Sequence, residues 1–299
     1  MIRRWTVAGV LALVGCLGAL SGLRAQDAAP QRVQDVIYGR KDGVALTLDV
    51  FKPAKPSGVG VLWMVSGGWF SSHDAINPGM MQPFLDRGET VFAVVHGSQP
   101  KFTIPEILQD IDRATRFVRY HAREYGVDPD RLAISGGSAG GHLSLMQGAR
   151  GHDGDPNAKD PVDRVNSRVQ AVACFFPPTD FLNYGSTGVN ALTDETLKQF
   201  WVAFGYKSRE PAELERVARA DSPLYLITKA MPPTLIIHGD ADKLVPIQQA
   251  QILVKKLNDA GVEAKLVTKP GAAHGWADQA KDMVLIADWF DAHLKKSGQ

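Results

Sequence analysis

Six short, nearly uninterrupted apolar runs punctuate this chain, at 59–65, 91–95, 132–134, 169–176, 235–237 and 264–267. A run of that length with no polar alternation has both of its faces covered. That is the situation of a strand inside a parallel sheet with layers on each side. Helical patterns lie between the runs. Residues 104–125 carry Ile107, Ile111, Val118, Ala122 and Tyr125 on one face, with Pro105 in the first turn and Gly126 as the stop. Residues 246–260 repeat the device with Pro246, Ile247, Ala250, Val254, Leu257 and the terminator Gly261. A last amphipathic pattern covers 283–294. Strand alternating with helix predicts an α/β fold with a mostly parallel sheet and right-handed crossovers. Ahead of it, 33–38 and 44–51 read as two strands joined by the turn at 39–43, because Leu46, Leu48 and Val50 alternate with Thr47 and Asp49.

Composition narrows the function classes. Among 299 residues, 33 Lys and Arg face 32 Asp and Glu, a net charge of +1. So balanced a chain has no general field for nucleic acid or an anionic membrane, and no nucleic-acid partner is expected. The 44% of hydrophobic residues argues against disorder.

The first residues read as an address. Arg3 and Arg4 form a basic start, 5–20 is almost wholly apolar, and Leu23-Arg24-Ala25 ends on a small residue. This pattern predicts a secretory signal peptide over 1–25 and a secreted or periplasmic mature protein at 26–299, organised as one α/β domain. Two other fates fit the same segment. The uncharged run 5–23 is long enough for an uncleaved anchor. Leu13-Val14-Gly15-Cys16 resembles a lipobox, although the residues after Cys16 stay apolar instead of forming a polar tether. No later run is long enough to span a bilayer. Cleavage would leave Cys174 as the only cysteine, placed by its apolar neighbours in a buried strand. A disulfide within the mature chain and a cysteine zinc cluster are thereby excluded.

Two stretches break the rhythm. Residues 151–168 are polar and read as a surface loop; their aspartates match no calcium-loop spacing. Residues 183–233 hold two or three short helical patterns and no strand, so they read as a helical, lid-like insertion over the strand ends.

The chemistry gathers at Gly136-Gly137-Ser138-Ala139-Gly140, a G-x-S-x-G directly between a strand run and a helical pattern. A sharp strand-to-helix turn strains its central residue and needs small neighbours to close. Ser138 then projects from the sheet edge, with a helix amino end aimed at the same space. A serine hydroxyl needs a base. His274, in the glycine-rich loop after the run 264–267, is the candidate, with Asp242 as the carboxylate that orients it. The order Ser138, Asp242, His274 is that of the α/β-hydrolases. His142 reads as a brace of the helix start, His238 as a structural residue, and Asp180 as a loop-bracing or capping residue. No His, Asp and Glu set shows a metal spacing, and neither metal nor cofactor is expected.

On these motifs the chain resembles the α/β-hydrolases of the secreted esterase/lipase kind, near the acetyl-esterase and feruloyl-esterase-like group, over about 33–294. That family carries its acid in His-Gly-x-x-Asp-x-x-Val-Pro. Here the segment is His238-Gly239-Asp240-Ala241-Asp242-Lys243-Leu244-Val245-Pro246, which selects Asp242 over Asp240. The resemblance implies an oxyanion hole from the Ala139 amide and from the loop Ser66-Gly67-Gly68-Trp69, with Gly67 and Gly68 as donors and Trp69 as the alternative. The family's usual His-Gly-Gly-Gly-Trp is altered, since Val65 stands where His is usual. Trp69 and His96 are candidate pocket residues, although His96, at a strand end, reads more readily as structural. The expected function is a secreted serine carboxylic-ester hydrolase working through an acyl-enzyme on short acyl esters of acetyl or feruloyl type, the substrate being a small molecule or linked to polysaccharide. Two rivals share the fold. A serine peptidase of prolyl-oligopeptidase type usually carries a large propeller, for which 299 residues leave no room. A non-catalytic binding module would not need the three candidate residues together.

Overall fold

The computed structural model describes residues 30–295. The leader read at 1–25, Cys16 included, lies outside the described residues, and no described helix is long and apolar enough to cross a membrane.

Eight strands form one sheet: β1 Gln31–Lys41, β2 Val44–Lys52, β3 Gly58–Met64, β4 Thr90–Val95, β5 Val127–Gly137, β6 Ala171–Phe175, β7 Thr234–Gly239 and β8 Ala264–Lys269. Their order is β1-β2-β4-β3-β5-β6-β7-β8. β1 and β2 join antiparallel, and every pairing from β4 through β8 is parallel. The mostly parallel α/β sheet expected from the alternation is therefore observed, and its order is that of the α/β-hydrolase fold the resemblance implies. Among the described residues six α-helices accompany it: α1 Gln82–Leu85, α2 Ile104–His121, α3 Ala139–Arg150, α4 Pro211–Ala220, α5 Gln248–Asp259 and α6 Gln279–Leu294.

The strand period of two divides the core into two layers. Along β3, Leu62 and Met64 pack with Ile107, Leu143 and Leu253 of α2, α3 and α5. Val59, Val61 and Trp63 face the other way and pack with Phe84 of α1 and Met283, Ile286 and Phe290 of α6. Each layer thus removes one set of alternate side chains from water, which is why the runs look continuous in sequence.

The boundaries shift where tertiary pairing overrides local pattern. The run 132–134 lengthens to Val127–Gly137, since Gly58 of β3 pairs with Val127 and Phe175 of β6 pairs with Gly137. The helix expected to reach Tyr125 ends at His121 and tightens into a 3-10 turn over Ala122–Tyr125, closed by Gly126 at φ 70°. Between β6 and β7 lie α4 and short 3-10 helices, the longest over Glu195–Phe204, and no strand.

Parallel strands bring their carboxyl ends to one edge. The connections leaving β3, β4, β5, β6, β7 and β8 therefore meet there, and they carry every candidate site residue.

Candidate active site

Ser138 sits between the last residue of β5 and the first of α3, at φ 54° and ψ −120°. A non-glycine residue rarely holds this conformation, and doing so costs about 1–3 kcal/mol unless its surroundings impose it. Two glycines impose it here. A Cβ on Gly136 would lie 2.7 Å from the carbonyl carbon of Gly140, and a Cβ on Gly140 would lie 2.7 Å from the carbonyl oxygen of Met64. Helix α3 thus starts in direct contact with its own strand and with β3. The Ser138 amide donates to the Phe175 carbonyl (3.0 Å), and the His142 amide donates to the Ser138 carbonyl (2.9 Å). Gly137 is different: the nearest atoms to a Cβ there stand at 3.6 Å, so this glycine is not a steric necessity.

The loops after β7 and β8 bring their side chains to the same point. His274 Nδ1 lies 2.7 Å from Asp242 Oδ2, and His274 Nε2 lies 2.9 Å from Ser138 Oγ. An ionised carboxylate only accepts, so Nδ1 carries the hydrogen and Nε2 offers its lone pair to the serine hydroxyl. The Phe176 ring backs the imidazole at 4.4 Å. The Asp242 side chain is fully buried. Its Oδ1 accepts from the amides of Leu244 and Val245, both at 2.9 Å. Burial pushes the Asp242 carboxyl up, but hydrogen bonds from His238, His274 and the Val245 amide overcome it and hold the group well below the usual carboxylate range. His238 is buried at the end of β7, donates from Nε2 to the Val245 carbonyl (2.8 Å), and stands 3.5 Å from Asp242 Oδ2. Asp240 is exposed and accepts from the Gly271 amide at 2.6 Å, turned to the opposite strap of the loop.

The Ser66–Trp69 loop departs from expectation at one donor. The Gly67 amide donates to the Phe70 carbonyl (3.0 Å) in a small bridge, so it is not available to a substrate oxygen. Among the described residues, the amides of Gly68, Trp69 and Ala139 have no protein acceptor. All three residues border the pocket at Ser138. Gly68 and Trp69 both hold positive φ, 55° and 63°, which directs the chain here. Of the expected pair Gly67 and Gly68, only Gly68 keeps a free amide, and the alternative Trp69 keeps one as well.

The loop is tied down without a histidine at position 65. Ser71 Oγ donates to the Val65 carbonyl (2.5 Å) and accepts the His96 amide (3.1 Å). Gln99 donates from Nε2 to the Gly68 carbonyl (2.6 Å). The Trp69 indole donates to His142 Nδ1 (3.2 Å). His96 does not line the pocket. It is buried behind the loop with Nδ1 against the Gly97 carbonyl (2.6 Å), and burial lowers its pKa to about 4. His142 is also fully buried, with its pKa lowered by burial to about 4. Asp180 braces its loop, accepting from the Leu182 amide and the Tyr225 hydroxyl, both at 2.9 Å.

The pocket is lined by Trp69, Phe181, Phe200, Trp201, Phe204, Leu244 and their neighbours, with no charged side chain among them. Of these aromatics the sequence reading named Trp69 and missed the others, yet a signal was present: Leu197, Phe200, Trp201 and Phe204 repeat at helical spacing. Gln99 and Ser71 carried no comparable signal. Cys174 is buried in β6, and burial pushes its thiol pKa up. One set of metal-type donors occurs among the described residues: Asp35, Asp49 and His73, within 4.8 Å of one another. Asp49 is already paired with Arg32 at 2.6 Å and accepts the Asp35 amide at 3.0 Å, so its charge is compensated inside the protein.

Comparison with known proteins agrees with this architecture. The BD-FAE family model matches residues 48–257. Probable carboxylic ester hydrolase LipM of Mycobacterium tuberculosis is 31% identical over 75% of this chain and 51% of its own length. Esterase LipC of the same organism is 28% identical over 81% of this chain and 59% of its own length. The chain spans about half the length of such curated relatives. Among solved structures, a truncated carbohydrate esterase from gut microbiota superposes with a TM-score of 0.75 at 27% identity, covering 91% of this chain and 99% of that one. The apo form of Thermogutta terrifontis esterase 2 gives 0.69 at 28%, covering 90% and 97%. With the family model matching well over half of the chain and the sheet order of an α/β-hydrolase, this protein belongs to the BD-FAE family.

Proposed function

We propose that this protein is a serine esterase that cleaves carboxylic esters of short, uncharged acyl groups through an acyl-enzyme. The reading rests above all on one observation: Ser138 Oγ, His274 and the buried Asp242 carboxylate form an unbroken hydrogen-bonded chain, at 2.9 and 2.7 Å. Ser138 Oγ attacks the ester carbonyl carbon while its proton passes to His274 Nε2. Asp242 keeps the hydrogen on Nδ1 and stabilises the imidazolium that forms. The carbonyl oxygen becomes an oxyanion, held by the amides of Ala139, Gly68 and Trp69 at the amino end of α3. Collapse breaks the bond to the alkoxy oxygen, and His274 returns the proton to the departing alcohol. A water, deprotonated by the same imidazole, then attacks the acyl carbon and releases acid and free serine.

The uncharged, aromatic lining of the pocket supports a neutral acyl group, because burying a carboxylate or ammonium there without a partner costs several kcal/mol. The relatives named as esterases support the reaction class, and the carbohydrate esterase relative is compatible with an ester carried on a sugar. We take 1–25 as a signal peptide and 26–299 as one secreted or periplasmic α/β-hydrolase domain, with 183–233 as a helical insertion.

A fluorophosphonate probe tests the reaction class. It should label the wild type once, at Ser138, and leave Ser138→Ala unlabelled. Equal labelling of the two would overturn the assignment, and an unlabelled wild type would favour a silent binding module. Turnover of p-nitrophenyl esters from acetyl to decanoyl should peak at the short end; an optimum at decanoyl contradicts the acyl class.

A further inference from the structure

His142 belongs to no step above, yet it touches three parts of the site. It lies one helical turn after Ser138 on α3 and is fully buried. Its Nδ1 stands 3.2 Å from the Trp69 indole nitrogen, which can only donate. Nδ1 is therefore the acceptor and Nε2 carries the hydrogen, donated over 2.7 Å to the Asp221 carbonyl at the end of α4. Asp221 is itself anchored, its amide donating to the Val217 carbonyl at 3.0 Å. The next residue holds the pocket wall: Ser222 Oγ accepts the Phe181 amide at 2.9 Å.

We infer that His142 is a positioning residue for ester hydrolysis: as a neutral imidazole it locks the Trp69 indole and thereby aims the Gly68 and Trp69 amides at the oxyanion. The inference rests on the esterase reading. Trp69 holds φ 63°, a conformation a bulky residue keeps only when its surroundings enforce it. The Phe181, Phe200 and Phe204 rings surround the indole at 5.5–6.0 Å but offer its N–H nothing to bond. Remove the acceptor, and a buried indole N–H is left unpaired in a residue 4% exposed. The loop can then relieve that N–H only by turning toward water, which carries the adjacent amides away from Ser138.

The test uses the full chain, with p-nitrophenyl butyrate as substrate. Asparagine places an amide oxygen near the position of Nδ1 and can still accept from the indole; leucine cannot. H142L and W69F should each lower kcat on the order of 10- to 100-fold, less than the 10²–10³ typical of deleting an oxyanion donor outright, with KM changed less than about threefold. H142N should recover kcat to within about fivefold of the wild type, and W69F/H142L should be no slower than the worse single variant. Multiplicative losses, a KM effect with kcat intact, or H142N as slow as H142L would overturn the inference. If H142L fails to fold by near-ultraviolet circular dichroism, W69F decides alone, and wild-type kcat in W69F refutes the inference. A wild type that neither turns over esters nor takes the fluorophosphonate probe sinks the esterase reading itself; an active wild type with unaffected variants sinks only the role of His142.

Discussion

Two glycine-bearing turns meet at the carboxyl edge of the sheet, and they are held by different physics. The turn at Ser138 is held by contact. Gly136 and Gly140 lie so close to backbone that neither tolerates a Cβ without movement. The loop at Gly67–Trp69 is held by side-chain hydrogen bonds, from Gln99 to the Gly68 carbonyl, from Ser71 to the Val65 carbonyl and from the Trp69 indole to His142. A Cβ on Gly67 would meet nothing within 4 Å. Steric closure constrains residue type at the turn itself. Hydrogen-bonded closure moves the constraint to other residues, of which Gln99 and His142 lie 31 and 73 positions from the groups they hold.

This contrast can be tested by substitutions and by pH. The largest effect belongs to the chemistry on the contact-held turn: Ser138→Ala should lower ester turnover by about 10⁴-fold or more, measured on p-nitrophenyl acetate. Asp242→Asn should cost a comparable amount through the wrong imidazole tautomer, whereas Asp240→Asn should leave kcat within about threefold.

Acid should affect the hydrogen-bonded loop and spare the other. His142 and His96 are both lowered by burial to about 4, while an unfolded histidine titrates near 6.5. Between those values the unfolded chain binds more protons than the folded one, so their contribution to stability falls as pH drops from about 6.5 to about 4. Burial raises Glu89 to about 9 and Asp221 to about 7, and these tilt stability the other way. The His142 part is therefore the difference in chemical-melt stability between wild type and H142N across that window, about 3 kcal/mol at pH 4. A difference that stays flat with pH would mean that His142 is not held neutral.

Backbone contact predicts the next effect. Gly140→Ala should cost about 3 kcal/mol by chemical melt, at the upper end for overpacking a tight site, while Gly137→Ala should cost about 0.5 kcal/mol or less. Equal costs would erase the steric account of the turn. The smallest pair concerns the loop. Gly68→Ala meets both φ 55° and the Phe200 ring at 2.6 Å, and should reduce kcat about 10-fold. Gly67→Ala should stay within about twofold, because its amide already serves Phe70 and its Cβ position is open. A large loss in Gly67→Ala would restore Gly67 as a donor.

Much of the fold was legible in sequence because burial on both faces leaves an unbroken apolar run, and seven of the eight strands were marked by such runs or by alternation, with β1 marked by the turn that joins it to β2. What local pattern could not supply were the strand ends. β5 continues past Asp128-Pro129-Asp130, a turn-like trio that the ladder skips as an irregularity, because Val127 and Leu132 on either side pair with Gly58 and Gly60 of β3. At the site, Ser138, Asp242 and His274 were legible because each occupies a short motif with its own backbone requirement. The braces were not. Nothing local marks Gln99 as the partner of Gly68, or Asp221 as the partner of His142, since 31 and 79 residues separate them.

The amino-acid order alone determined the alternation of strand and helix, the small residues around Ser138, and the chain order of serine, acid and histidine, because each is carried by a local pattern or a short motif. The tertiary structure alone decided which of the Gly67, Gly68 and Trp69 amides remain free, why His96 is a buried brace instead of a pocket residue, and what holds the loop with Val65 at the family's usual histidine position. Those depend on hydrogen-bond partners that meet only when the parallel sheet brings its carboxyl ends together.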